Sequence, residues 1–125
     1  MNHMIANFKS VVMDQYTQFK GRASRAVFWQ YILVYAVISI AFSLLIDLLS
    51  DVRVVYYILV VLYCLIALAL LAPTLAINVR RLHDIGKGGG WIFVNLIPII
   101  GGLWYLILMI KEGEPQSNRF GDRPE

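Results

Sequence analysis

The chain predicts an all-α membrane protein: three transmembrane helices, the third kinked or re-entrant, preceded by an N-terminal amphipathic interfacial helix. Three observations carry that expectation. Hydrophobic residues make up 59% of the 125-residue chain and charged residues only 15%, outside the balance of a soluble domain. Between residues 26 and 49 the only charge is Asp47, and residues 54–79 and 91–110 hold none. A hydrocarbon core about 30 Å thick takes roughly 20 helical residues to cross, so each run is long enough to span.

The same pattern sets several function classes aside. The first run starts late, is too long and ends in DLLSDVR, with no small-residue cleavage site, so it is expected to stay as an anchor and not to be removed as a signal peptide. Net charge is +3, but the cations flank apolar runs, which makes lipid headgroups the expected partner and not nucleic acid. Cys64, the only cysteine, lies within the second run; no intrachain disulfide can form, and a small packing role is expected.

Residues 4–20 place Met4, Ile5, Phe8, Val11, Val12, Tyr16 and Phe19 at spacings of one, three or four, with Lys9, Asp14, Gln15 and Gln18 on the other side, the period of an amphipathic helix. It is expected to lie in the interface or on the end of the bundle. Gly21 ends it, and Ser24 stands where an N-cap for the next helix belongs. Lys20, Arg22 and Arg25 crowd the entry of the first span (26–49), where long stems let charges reach phosphates. The link SDVR is so short that the first two spans must form an antiparallel hairpin. The second span (54–79) has 26 uncharged residues, about 39 Å of helix, with Pro73 as its bending point because it removes one hydrogen bond and crowds the carbonyl of Ala69. That helix is expected to run on through Asn78, Arg80 and Arg81 until Gly86 stops it. The third run (91–110) carries Pro98, Gly101 and Gly102 near its middle, so a kinked span and a re-entrant pair of half-helices are both open. Residues 111–125 form a polar, turn-rich tail expected outside the core.

Orientation follows from Lys and Arg near the span ends. Four lie before the first span, one in the first link, three in the second link and three in the tail. Three crossings with the N-terminus in the cytoplasm put seven inside and four outside, and this is the expected topology. A re-entrant third run would bring the tail back inside and raise the split to ten against one.

The stretch NVRRLHDIGKGGGW at 78–91 is the densest polar segment. It is no P-loop: Lys87 follows Gly86 but precedes Gly88, with no hydroxyl for magnesium and no strand before it. A dinucleotide fingerprint fails on the same helical context. Adjacent His83 and Asp84 point about 100° apart on a helix and His3 is far upstream, so no metal site is expected. Nothing in the spacing fixes Ser24 or Thr74 beside His83 as a nucleophile, and no cofactor is implied. What the spacing does suit is a cytoplasmic-face cluster. Arg80, Arg81 and His83 occupy the last turns of a helix, and Asp84 lies four residues from Arg80 and three from Arg81. Arg22 and Arg25 belong at the same face, because the first span starts where the second ends. The leading expectation is a non-enzymatic membrane module whose cluster binds anionic headgroups or a membrane-protein partner. The alternatives are an oligomeric small-solute transporter or channel component, weakened by the lack of mid-span ionisable groups, and an interfacial enzyme acting on lipids.

GRASRAVFW at 21–29, PTLAINVRRLHDIGKGGGW at 73–91, Gly113, NRFG at 118–121 and Pro124 resemble the DUF805 family of small bacterial inner-membrane proteins over residues 18–125. The resemblance implies a multi-pass helical protein of the inner membrane whose activity is not established. Its pattern falls on Gly21, Arg22, Arg25, Trp29, Pro73, Arg80, Arg81, His83, Asp84, Gly86, Trp91, Pro98, Gly101, Asn118 and Gly121. Gly88 to Gly90 with one tryptophan replace a serine and further tryptophans of the family, which is expected to loosen the second link. Asp122-Arg123 stands where Pro-Asp is more usual, which argues against a fixed tail contact.

Overall fold

A computed structural model describes residues 2–122 and Pro124, with side chains from Met4 onward, and among them every regular element is helical. Helix α1 (Asn2–Lys9) runs into one π-helical turn, Ser10–Asp14, closed by Gln15 N donating to Ser10 O at 2.9 Å. This is shorter than the expected 4–20. Beyond Asp14 the side chains of Gln15 and Tyr16 are drawn into contacts with other helices, and the backbone leaves the helix to reach them. Phe8, Val11 and Val12 face the core, and Phe8 stacks on Tyr31 at 5.1 Å. Ile5, Tyr16 and Phe19, on the same predicted stripe, stay exposed.

Ser24 caps α2 (Arg25–Leu48): its backbone is extended and its Oγ accepts from Val27 N at 3.2 Å, satisfying an otherwise orphan amide. At 24 residues α2 is about 36 Å long, enough to cross a bilayer core. Only 6% of its most apolar 18-residue stretch is buried, whereas the core helix of a soluble protein would be mostly covered. After a tight turn, α3 (Arg53–Ala69) returns antiparallel, with Phe42 and Tyr63 meeting at 5.5 Å, and α3 has no buried residue at all. Apolar side chains exposed all round these two helices are compatible with hydrocarbon and not with water.

The break in the second apolar run falls at Leu70, where α3 and α4 (Leu71–Asp84) bend by 41°. Pro73 sits in the first turn of α4. Having no N–H, it leaves Ala69 O without its helical donor, and Tyr16 Oη donates to that carbonyl at 2.5 Å. The bend was expected from Pro73, and the helix does continue to Asp84. Its partner from the N-terminal segment was not foreseen.

The third apolar run is not one continuous helix. Residues Gly89–Leu96 form a 3-10 segment, and α5 (Ile100–Ile110) follows with 11 residues, about 16 Å and roughly half a bilayer core. Between them Ile99 has φ 63° and ψ −63°, with Ile100 N donating to Pro98 O at 2.6 Å: a γ-turn, strained for a β-branched residue. The two arms pack closely because Gly101 has no Cβ; one added there would strike Val94 O. The tail returns to the start of the run, where Arg119 lines the same hollow as Gly88, Gly90 and Trp91. In place of one continuous third helix, the run is broken at the Pro98–Ile99 turn into two arms that pack on each other.

The buried core gathers at this same end, where Val11, Phe28, Tyr31, Ile77, Leu82, Leu108 and Met109 pack together. Polar ties thread it: Tyr31 Oη and Thr74 Oγ1 at 2.6 Å, and Tyr105 Oη donating to Asn78 Oδ1 at 2.5 Å. Such interhelical bonds hold helices together in surroundings where apolar faces alone give little preference for association.

Candidate functional site

Asp84, 3% exposed, is the last residue of α4 and lies between two arginines. Arg81 Nη1 donates to its Oδ2 at 2.8 Å, and Arg22 takes Oδ1 with Nε at 3.0 Å and Nη2 at 2.9 Å. Both arginine side chains are fully buried. Their remaining donors go to backbone carbonyls: Arg22 Nη1 to Gln116 O at 2.8 Å and Gly121 O at 3.2 Å, Arg22 Nη2 to Glu114 O at 2.6 Å, and Arg81 to Met109 O and Lys111 O. Glu114 N in turn donates to Asp84 O at 2.8 Å. One carboxylate and two guanidiniums thus fasten four pieces of chain: the entry to α2, the end of α4, the end of α5 and the tail.

The local sequence explains how the pieces meet. Gly86 ends α4 at φ 80°, with Gly86 N to His83 O at 3.0 Å and Lys87 N to Leu82 O at 2.9 Å, the paired bonds of a Schellman cap. The position is also tight, since a Cβ on Gly86 would strike the Glu114 carboxylate. A Cβ on Gly113 would strike the carboxylate of Asp84. Gly21 has φ 96°, and its carbonyl accepts from His83 Nδ1 at 2.8 Å, which fixes the proton on that nitrogen. The imidazole stacks on Phe120 at 3.9 Å. Asn118 Nδ2 donates to His83 O at 3.0 Å and to Glu114 Oε1 at 2.7 Å, while Asn118 and Gly121 exchange two backbone bonds. Trp29 Nε1 donates to Met109 O at 3.1 Å.

The six predicted cluster residues separate into different environments. Arg22, Arg81 and Asp84 form the clamp, and His83 joins its tail side. Arg25 is exposed and donates to Ile110 O at 3.1 Å, so it does not meet Asp84. Arg80, expected to share Asp84, turns the other way: its Nη1 donates to Gln15 Oε1 at 2.7 Å, and its carbonyl accepts from Ala23 N at 2.9 Å. The expectation that the arginine forks present themselves to phosphate also needs correction for two of them, because the acceptors of Arg22 and Arg81 all belong to the chain itself. The tail is likewise no loose appendage. Gly113, Glu114, Gln116 and Phe120 build the site, and of these only Gly113 and Phe120, the latter within NRFG, fell in segments singled out in the sequence. Arg123 and the His3 side chain lie outside the described residues. The second link is not loosened by its glycines: Gly89 lets the 3-10 segment approach Val79, whose Cγ1 would be 3.1 Å from an added Cβ, and Lys87 Nζ sits 4.5 Å over the Trp91 ring.

In this arrangement His83 Nδ1 is bonded to the Gly21 carbonyl and the Asp84 carboxylate to two arginines, and among the described residues no serine, threonine or cysteine is bonded to either side chain. Among the described residues no three His, Cys, Asp or Glu side chains converge as metal ligands. Its chemistry is that of a charged fastening.

Comparison with known proteins agrees with the sequence resemblance. Residues 16–122 match the family model described as "Protein of unknown function (DUF805)". The chain is 34% identical over 114 residues to the inner membrane protein YhaI of Escherichia coli (strain K12), covering 91% of this chain and 92% of that one. It is 34% identical over 122 residues to the inner membrane protein YhaH of the same organism, covering 91% and 93%. A third relative there, the uncharacterized protein YiiR, is 36% identical over 92 residues, covering 71% of this chain and 58% of that protein. No solved structure matches the chain.

Proposed function

The chain belongs to the DUF805 family of proteins of unknown function, and from that premise we propose a non-enzymatic inner-membrane module that sits against anionic lipid headgroups through a cytoplasmic basic rim. In this reading α2 crosses the bilayer, the bent pair α3 and α4 crosses back, and the run 91–110 enters and leaves at one face. The observation that carries the reading is the charge asymmetry this produces. Four Lys and Arg precede or open α2, three lie at 80–87 and three follow α5, which leaves Arg53 alone at the far end. Ten against one is the distribution expected when the populated side is cytoplasmic. That side of an inner membrane carries anionic lipid, and each exposed Lys or Arg near it is worth about 1 kcal/mol.

The clamp supports the rim without being the lipid contact. With Arg22 and Arg81 occupied internally, the exposed Lys9, Lys20, Arg25, Lys111 and Arg119 are the cations offered to headgroups, and Lys20, Arg25 and Lys111 are those next to the ends of α2 and α5. In purified protein, retention of phosphatidylglycerol over phosphatidylcholine is expected to fall with rising salt. In a combined Lys20→Gln, Arg25→Gln, Lys111→Gln variant it is expected to drop by at least about tenfold. Retention unchanged by salt and by the three substitutions refutes the rim.

A further inference from the structure

Arg80 is a buried arginine of the polar cluster that pairs with no acid among the described residues. Only 2% of it is exposed, yet its Nε and Nη2 have no acceptor among the described residues, and its single side-chain bond is to the neutral amide of Gln15. The neighbouring carboxylate, Asp84, is already shared between Arg22 and Arg81. Three buried guanidiniums therefore face one buried carboxylate. A buried charge without a counter-ion is costly enough that proteins normally pair it.

Arg80 is also a wall of a cavity of about 200 Å³ that lies between the N-terminal segment, the entry to α2, α4 and Pro124 of the tail. Its lining includes Asn7, Ser10, Gln15, Ser24 and Val27. A water occupies about 30 Å³ in the liquid, so the space suits a tetrahedral oxyanion. The lining offers hydroxyl and amide donors in addition to the arginine. Ser24 is the N-cap of α2 and Val27 lies in its first turn, so the positive end of a 24-residue helix borders the same cavity.

We propose that this cavity binds a phosphate-type oxyanion, with Arg80 as its fork and the Ser10 and Ser24 hydroxyls as supporting donors. The anion supplies the missing counter-charge and ties the N-terminal segment to α4. The site is separate from the rim, and it requires neither the proposed orientation nor lipid contact through Lys20, Arg25 and Lys111. The phosphate group can belong to a lipid headgroup or to a free anion.

The test uses full-length protein in zwitterionic detergent, titrated with inorganic phosphate and with glycerol phosphate, and protein in nanodiscs with or without phosphatidylglycerol. Chloride at matched ionic strength is the control. Binding, read by calorimetry and by a rise in Tm, is expected to weaken at least about tenfold in Arg80→Gln, the effect of losing charge-assisted bonds. It is expected to survive in the rim triple variant. Should Arg80→Gln fail to fold, Ser10→Leu fills the cavity with the arginine in place and is expected to show the same loss. A response only in phosphatidylglycerol nanodiscs identifies a headgroup site, and a response to the soluble phosphates identifies a free-anion site. No response to any phosphate, or equal responses in wild type and the cavity variants, overturns the proposal, whatever the rim variant shows about lipid retention.

Discussion

Asp84→Ala is expected to lower the unfolding free energy by about 3–5 kcal/mol, the usual cost of removing one partner from a buried ion pair, measured by denaturant titration in detergent. The size follows from burial, since the carboxylate is 4% exposed and the guanidiniums of Arg22 and Arg81 not at all. Without the acid, two cations would face each other in a space from which water is excluded. Asp84→Asn keeps one acceptor and is expected to fall in between. Buried triads elsewhere can be exchanged for apolar residues at no cost, but that rescue is not expected here. In a combined Arg22→Met, Asp84→Leu, Arg81→Met variant, the carbonyls of Glu114, Gln116, Gly121, Met109 and Lys111 would lose their donors. Wild-type stability in that triple variant would show that the tail contacts contribute little.

The fold-back of the third apolar run makes a prediction of opposite signs at adjacent positions. Gly101→Ala places a Cβ against the carbonyl of Val94, which is backbone and cannot swing away, so a loss of about 1–3 kcal/mol is expected. Gly102→Ala meets open space within 4 Å, and there the better helical preference of alanine is expected to stabilise by up to about 1 kcal/mol. A continuous transmembrane helix would treat the two glycines alike. Tm measured for the pair in one detergent distinguishes the two arrangements.

Much of this architecture was legible because helix caps, charge gaps and span lengths are local properties. Ser24 as an N-cap, the continuation of α4 through Arg81 and its stop at Gly86 all follow from residue chemistry within one turn. The Arg81–Asp84 pair is likewise local, at three residues apart. What escaped notice depends on distant partners. Nothing near Arg80 in the sequence indicates that it turns toward Gln15 while Arg22, 62 residues from Asp84, takes the acid. The tail reads as polar and turn-rich, yet its carbonyls are the acceptors two buried arginines require. The γ-turn at Ile99 runs against preference, because a β-branched residue is among the last expected at positive φ. Pro98 and Gly101 marked the neighbourhood, but packing of one arm on the other decides between a kink and a fold-back.

In the proposed topology the N-terminus, the second link and the tail share one face of the membrane while the 91–110 run turns back on itself. Paired fusions of a cytoplasm-active fluorescent reporter and a periplasm-active phosphatase to each terminus test it most directly. Fluorescence and no phosphatase activity are expected from both ends. Phosphatase activity from the C-terminal fusion, with fluorescence retained at the N-terminus, would mean that the third run crosses, and would contradict it.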